Sequence, residues 1–126
     1  MYHVDITNSG EYVFNVKSKD YECVVDVKGK GMTPPDTLLA SIGTCIGVYL
    51  RKYAENVKLE LPAFKIKVDA DFCKEPPICF RKIEVSIDLQ GVALDERRAK
   101  GMIEFLKNCP VHNTIKNNPE VVIKVA

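Results

Sequence analysis

The chain has 126 residues and a mass of 14.1 kDa, the size of one domain that buries roughly two thirds of the surface its unfolded form exposes, so folding needs neither a disulfide scaffold nor a metal staple. Eighteen Lys and Arg against seventeen Asp and Glu leave a formal charge of +1, which excludes a global field that draws nucleic acid or anionic lipid. Five cysteines, an odd number, cannot all pair within one chain.

The start, Met1-Tyr2-His3-Val4-Asp5, has neither a basic stretch nor an apolar run of the secretory kind, so a cytoplasmic setting with reduced thiols is expected. The residues up to 28 then alternate with period two. Tyr12, Phe14 and Val16 share one strand face, and Cys23, Val25 and Val27 share the inward face of the next. Asn8-Ser9-Gly10 and Ser18-Lys19-Asp20 supply the turns, which predicts a three-stranded antiparallel meander ended by Gly29-Lys30-Gly31.

Thr33-Pro34-Pro35-Asp36 is a helix start, with Thr33 as N-cap, Pro34 in the first helical position and Asp36 in the third. The helix runs to about Asn56 and carries Leu38, Leu39, Ile42, Ile46, Val48 and Leu50 on all sides, so burial nearly all round is expected. Its longest uncharged run, Thr37 to Leu50, is about 14 residues, short of the ~20 that span a bilayer. Gly43 and Gly47 each cost about 1 kcal/mol in a helix interior. Their use is a close backbone approach, either to the chain's own sheet or to a second subunit.

After Pro62 the alternation returns through Phe64, Ile66, Val68 and Ala70, then through Ile83, Val85, Ile87 and Leu89, with Pro76-Pro77 between the two strands. Asp95 to about Asn108 is an amphipathic helix on Ala99, Met102, Ile103 and Leu106. Cys109-Pro110 opens a short helical turn, and Val121 to Val125 is expected to close the chain as a strand. The order βββ-α-ββ-αα-β is α+β in a single domain over residues 1–126, without the alternation of a doubly wound sheet.

On position alone Cys109 is the stronger reactive candidate. It sits where a helix N-terminus favours an anion, which lowers a thiol pKa, though a small apolar residue capping a turn fits equally. Cys45 lies mid-helix, where burial alone raises its pKa and a core role suffices unless a cation reaches it. Cys23, Cys73 and Cys79 read as structural; the last two are too widely spaced across their loop for a zinc knuckle. Cys109 and His112, with Cys45 as a third ligand, form only a weak zinc pattern.

The run Thr33-Pro34-Pro35-Asp36-Thr37-Leu38-Leu39-Ala40-Ser41-Ile42-Gly43-Thr44-Cys45 and the later Asn108-Cys109-Pro110-Val111-His112-Asn113-Thr114 resemble the two cysteine signatures of the OsmC/Ohr family of thiol peroxidases, inside the same order of elements. The resemblance implies antiparallel sheets wrapped around a central Cys-bearing helix in an intertwined homodimer, with active sites at the subunit interface. It implies that Cys45 attacks an organic hydroperoxide to give a sulfenic acid, and that Cys109 resolves this as a disulfide. An external dithiol would be the reductant, with no bound cofactor, no metal, and no nucleic-acid or membrane partner. In the peroxidases of this family a glutamate ten residues before the first cysteine and an arginine organise the thiol. Here that position is Pro35, and no arginine precedes Arg51. Asp36, Lys28 and Lys30 are the candidate supporting residues; Asp36, nine residues before Cys45, faces away on a continuous helix and reaches the site only through a helix break or a partner subunit. These features resemble the OsmC-like branch. A thiol–disulfide redox protein and a non-catalytic dimeric binding or redox-sensing module are the alternative functions of the same fold.

Overall fold

A computed structural model describes residues 2–126, which divide into two compact units between Ala40 and Ser41. The first holds the expected meander: β1 (Asp5–Asn8), β2 (Val13–Ser18) and β3 (Tyr21–Asp26), antiparallel in the order β1-β2-β3. Asn8 closes the first turn, its Nδ2 donating to the Val13 carbonyl at 2.9 Å and its Oδ1 accepting from the Gly10 N–H at 3.2 Å. Gly10 at φ 116° takes a conformation that side-chain-bearing residues rarely adopt. The alternation fails at Cys23, which is exposed. Burial in β3 is confined to Val25 and Asp26 at its end.

Asp26 anchors the loop that follows. Its carboxylate accepts the backbone N–H of Lys28 and of Lys30, each at 2.8 Å, and its own N–H donates to the Met32 carbonyl. A carboxylate so buried is stable only when its oxygens are hydrogen-bonded, and these two donors meet that need. Thr33, the expected N-cap, forms a capping box with Asp36: the Thr33 hydroxyl donates to Asp36 Oδ2 at 2.8 Å and accepts the Asp36 N–H at 3.3 Å.

Helix α1 (Pro34–Asn56) supplies the first element of the second unit, followed by β4 (Lys65–Cys73), β5 (Cys79–Asp88), α2 (Glu96–Leu106) and α3 (Pro110–Lys116). The buried residues of α1 within this unit are Ile42, Gly43, Ile46, Leu50, Tyr53 and Ala54, a single stripe at helical spacing. Burial nearly all round is therefore not what this chain shows; Val48 is 52% exposed. The glycine pair faces the chain's own sheet. A Cβ at Gly43 would stand 2.9 Å from Val68 Cγ2, and one at Gly47 would stand 3.4 Å from Ile66 Cδ1, both on β4.

The end of α1 is fixed by Lys58 at φ 56° and the Leu59 N–H donating to the Ala54 carbonyl at 2.8 Å, a left-handed C-terminal closure. Arg51 donates to the carbonyls of Leu61 and Pro62 and lies over the Phe64 ring, tying the chain down before β4. β4 and β5 form an antiparallel pair with Ile66, Val68, Ile83 and Val85 half-buried. α2 starts at Asp95, which accepts the Arg98 N–H at 2.7 Å, and packs Met102, Phe105 and Leu106 toward α1, where Phe105 meets Tyr53 at 5.7 Å between ring centres. The expected closing strand at Val121 to Val125 does not form among the described residues. A strand needs a paired neighbour, and this segment has none among the described residues.

Candidate thiol site

Cys45 and Cys109 come together. Cys45 is half-buried in the middle of α1, Cys109 is fully buried at the N-cap of α3, and their sulfurs are 2.7 Å apart. A disulfide bond is about 2.05 Å long, so a small closing movement separates the reduced pair from the bonded one. Both are free thiols here. Local sequence explains how Cys109 is presented. Its N–H donates to the Leu106 carbonyl and its C=O accepts from Asn113, which fixes the backbone, while its side chain makes no capping hydrogen bond and is left to face Cys45.

Pro110 occupies the first position of α3 and has no N–H, so the first free donor of that helix is Val111. The Val111 N–H is hydrogen-bonded to Cys45. The helix terminus that sequence position assigns to Cys109 therefore serves the other thiol. Burial pushes the Cys45 thiol above its ordinary pKa, and the hydrogen bond and charge of Cys109 push the same way; the Val111 N–H and the Lys52 ammonium oppose them, and the net direction is upward. Lys52 is the cation that sequence reasoning missed. It lies seven residues after Cys45, two turns along the same helix face, and its Nζ rests 4.7 Å from the centre of the Tyr49 ring.

The other candidates have local roles. Asp36 is held in its capping box with Thr33. Lys28 and Lys30 hold Asp26 through their backbones, and the Lys28 ammonium lies 4.7 Å from the centre of the Tyr12 ring. Arg51 is engaged by the carbonyls before β4. Among the described residues no group of three or more His, Cys, Asp or Glu is arranged to hold a metal ion. No helix among them is long and apolar enough to cross a membrane.

A cavity of about 460 Å³ adjoins the thiol-bearing part of α1. It is lined by Ile42 and Ile46, on either side of Cys45 in sequence, by Phe80, Ile83, Val85, His112 and Ile115, and by the cationic Arg81, Lys82 and Lys116. His112 Nδ1 is buried there with no hydrogen-bond partner among the described residues. The walls are mostly apolar, and the volume lies in the range of small-molecule sites.

Among solved structures the chain is similar to an OsmC-like protein from Mycoplasma pneumoniae (19% identity, TM-score 0.80, covering 94% of this chain and 89% of that one). It is also similar to an organic hydroperoxide resistance protein OsmC from Legionella pneumophila (18% identity, TM-score 0.66, 94% and 92% covered) and to the organic hydroperoxide resistance protein OhrB of Bacillus subtilis (20% identity, TM-score 0.63, 93% of each). At these identities the likeness is one of fold, an α+β arrangement with antiparallel sheets. No curated protein matches the chain. The model of the OsmC-like protein family matches residues 27–124, a span that includes both thiols and every element from α1 to α3, and the chain belongs to that family.

Proposed function

We propose that the chain reduces organic hydroperoxides, with Cys45 as the attacking thiol and Cys109 as the resolving one. The 2.7 Å approach of the two sulfurs within an OsmC-like fold carries this reading. The Cys45 thiolate attacks one oxygen of the hydroperoxide and the O–O bond breaks; the other oxygen leaves, takes a proton and becomes the alcohol, while Cys45 becomes a sulfenic acid. Cys109, as thiolate, attacks the Cys45 sulfur and expels hydroxide, which is protonated to water as the disulfide forms. An external dithiol returns two electrons and two protons by thiol–disulfide exchange, with no bound cofactor. The mostly apolar cavity lined by Ile42 and Ile46, which flank Cys45 in sequence, suits an organic group on the peroxide. Two of the structural relatives are named as organic hydroperoxide resistance proteins, which supports the same substrate class.

The working unit in this reading is a homodimer in the cytoplasm. Val121, Ile123 and Val125 are 79%, 89% and 95% exposed in the single chain, an apolar alternation that a second copy would cover. Dithiol-dependent consumption of an alkyl hydroperoxide by wild type, Cys45→Ser and Cys109→Ser tests the chemistry. Loss of turnover in Cys45→Ser is expected, with Cys109→Ser accumulating sulfenic acid. Equal turnover by wild type and Cys45→Ser rejects the proposal.

The 2.7 Å approach of the two sulfurs also suits a second reading, thiol–disulfide exchange without a peroxide, since it closes the same Cys45–Cys109 bond. Its mark is a reversible Cys45–Cys109 couple in glutathione buffers together with negligible peroxide consumption.

A further inference from the structure

The β4–β5 hairpin carries a second pair of thiols that the chemistry above leaves unused. From Lys65↔Asp88 to Asp71↔Lys82 the two strands pair in one register. Phe72 then pairs with Phe80, so Arg81 is an extra residue on β5, a one-residue bulge. Had the register continued, Cys73 would face Phe80, and Cys79 would face Lys74. The bulge instead sets Cys73 directly opposite Cys79. The edge-to-face contact of Phe72 with Phe80, 5.6 Å between ring centres, accompanies the shifted register at the adjoining pair.

Directly opposed antiparallel residues hold their Cα atoms about 4.5 to 5.5 Å apart and send their side chains to one face. That spacing lies within the roughly 4.4 to 6.8 Å of disulfide-bonded cysteines. Cys79 is exposed and Cys73 half-buried, its thiol 3.6 Å from the Glu75 carbonyl oxygen, and both are free thiols. An accessible thiol beside a more sheltered one is the arrangement in which the first meets an oxidant and the second resolves it.

We propose that Cys73 and Cys79 are a second redox couple, whose oxidant is a low-molecular-weight disulfide. The Cys79 thiolate attacks one sulfur of that disulfide, the S–S bond breaks, and one small thiol leaves with a mixed disulfide formed at Cys79. The Cys73 thiolate attacks the Cys79 sulfur and releases the second small thiol as the Cys73–Cys79 bond forms. Two protein thiols are oxidised by two electrons, and the small disulfide takes both electrons and both protons to become two thiols. The couple uses neither Cys45 nor Cys109, so it stands whether or not the peroxide chemistry does.

Full-length wild type equilibrated in mixtures of oxidised and reduced glutathione, trapped by alkylation and digested with trypsin, tests this. Trypsin cuts after Lys74, so residues 68–74 and 75–81 remain joined only by a Cys73–Cys79 bond, and Cys23, Cys45 and Cys109 fall in three other peptides. The linked pair is expected to replace both free thiols as the oxidised fraction rises and to disappear when reduced glutathione is restored. Cys45→Ser should form it equally, and Cys73→Ser should instead retain glutathione on Cys79. Recovery of the two wild-type peptides as free thiols or as separate glutathione adducts throughout the range overturns the proposal. Linkage of either cysteine to Cys23, Cys45, Cys109 or another molecule also overturns it.

Discussion

Replacing Cys109 by alanine removes both of its effects on Cys45. Its hydrogen bond and its charge both raise the Cys45 pKa, whereas burial would remain as the raising influence and the Val111 N–H and Lys52 would continue to lower it. The Cys45 pKa is therefore expected to fall in Cys109→Ala. The variant loses no helix cap, because the Cys109 side chain makes no capping bond; removing one buried sulfur costs about 1 kcal/mol of stability. Below the titration midpoint each tenfold gain in thiolate raises the rate of attack only about threefold, because a less basic sulfur is a weaker nucleophile. The assay is the rate of Cys45 alkylation against pH, read on the tryptic peptide 31–51 so that the other four cysteines do not contribute. In wild type the rate should still climb as pH passes the ordinary thiol value of about 8.5, since the Cys45 pKa is raised above its reference value. In the variant the profile should shift to lower pH. An unchanged or upward-shifted midpoint in Cys109→Ala refutes the assignment of Cys109 as a restraint on Cys45 ionisation.

Lys52→Gln removes a cation that favours the Cys45 thiolate, and because Lys52 is exposed the loss should be small, about twofold in alkylation rate at neutral pH. Gly43→Ala should lower the melting temperature by the equivalent of about 1 kcal/mol, since crowding against Val68 outweighs the gain in helix propensity. Gly47→Ala, whose Cβ would reach only 3.4 Å from a flexible Ile66 methyl, should be neutral or up to about 1 kcal/mol more stable in the same melt. Asp26→Ala leaves the Lys28 and Lys30 N–H groups without their acceptor and should destabilise the first unit by about 3 kcal/mol in chemical unfolding.

Elements whose stabilising contacts are local were legible in the sequence. The capping box at Thr33 and Asp36 and the meander turns rest on residues a few positions apart, and they form as the pattern predicts. The single chain departs from expectation where burial depends on what lies across a face. Cys23 keeps the strand phase of Val25 but is exposed, and Val48 is apolar yet lies off the buried stripe of α1. Hydrophobic periodicity reports which face is apolar, not whether a covering surface is present. For the same reason Val121 to Val125 has the alternation of a strand and no strand partner among the described residues. The glycine pair shows the converse: a choice left open between sheet and subunit is resolved by side chains of β4 at both positions.

The thiol site shows what a reading of each cysteine by itself leaves out. Helix position favours Cys109 as the activated thiol, but Pro110 withholds the first N–H of α3 and Val111 offers the next to the sulfur of Cys45. No spacing rule reports that meeting, whereas the missed Lys52 could have been found from its spacing, two turns beyond Cys45 on the same helix face. The environment that results pulls in two directions. Cys109 is close enough to capture an oxidised Cys45 at once, and the same closeness, with burial, keeps the reduced Cys45 protonated. Moving Cys109 away would speed the first attack and expose the sulfenic acid to further oxidation. In the proposed reaction this geometry would favour rapid closure of the Cys45–Cys109 bond over rapid first attack.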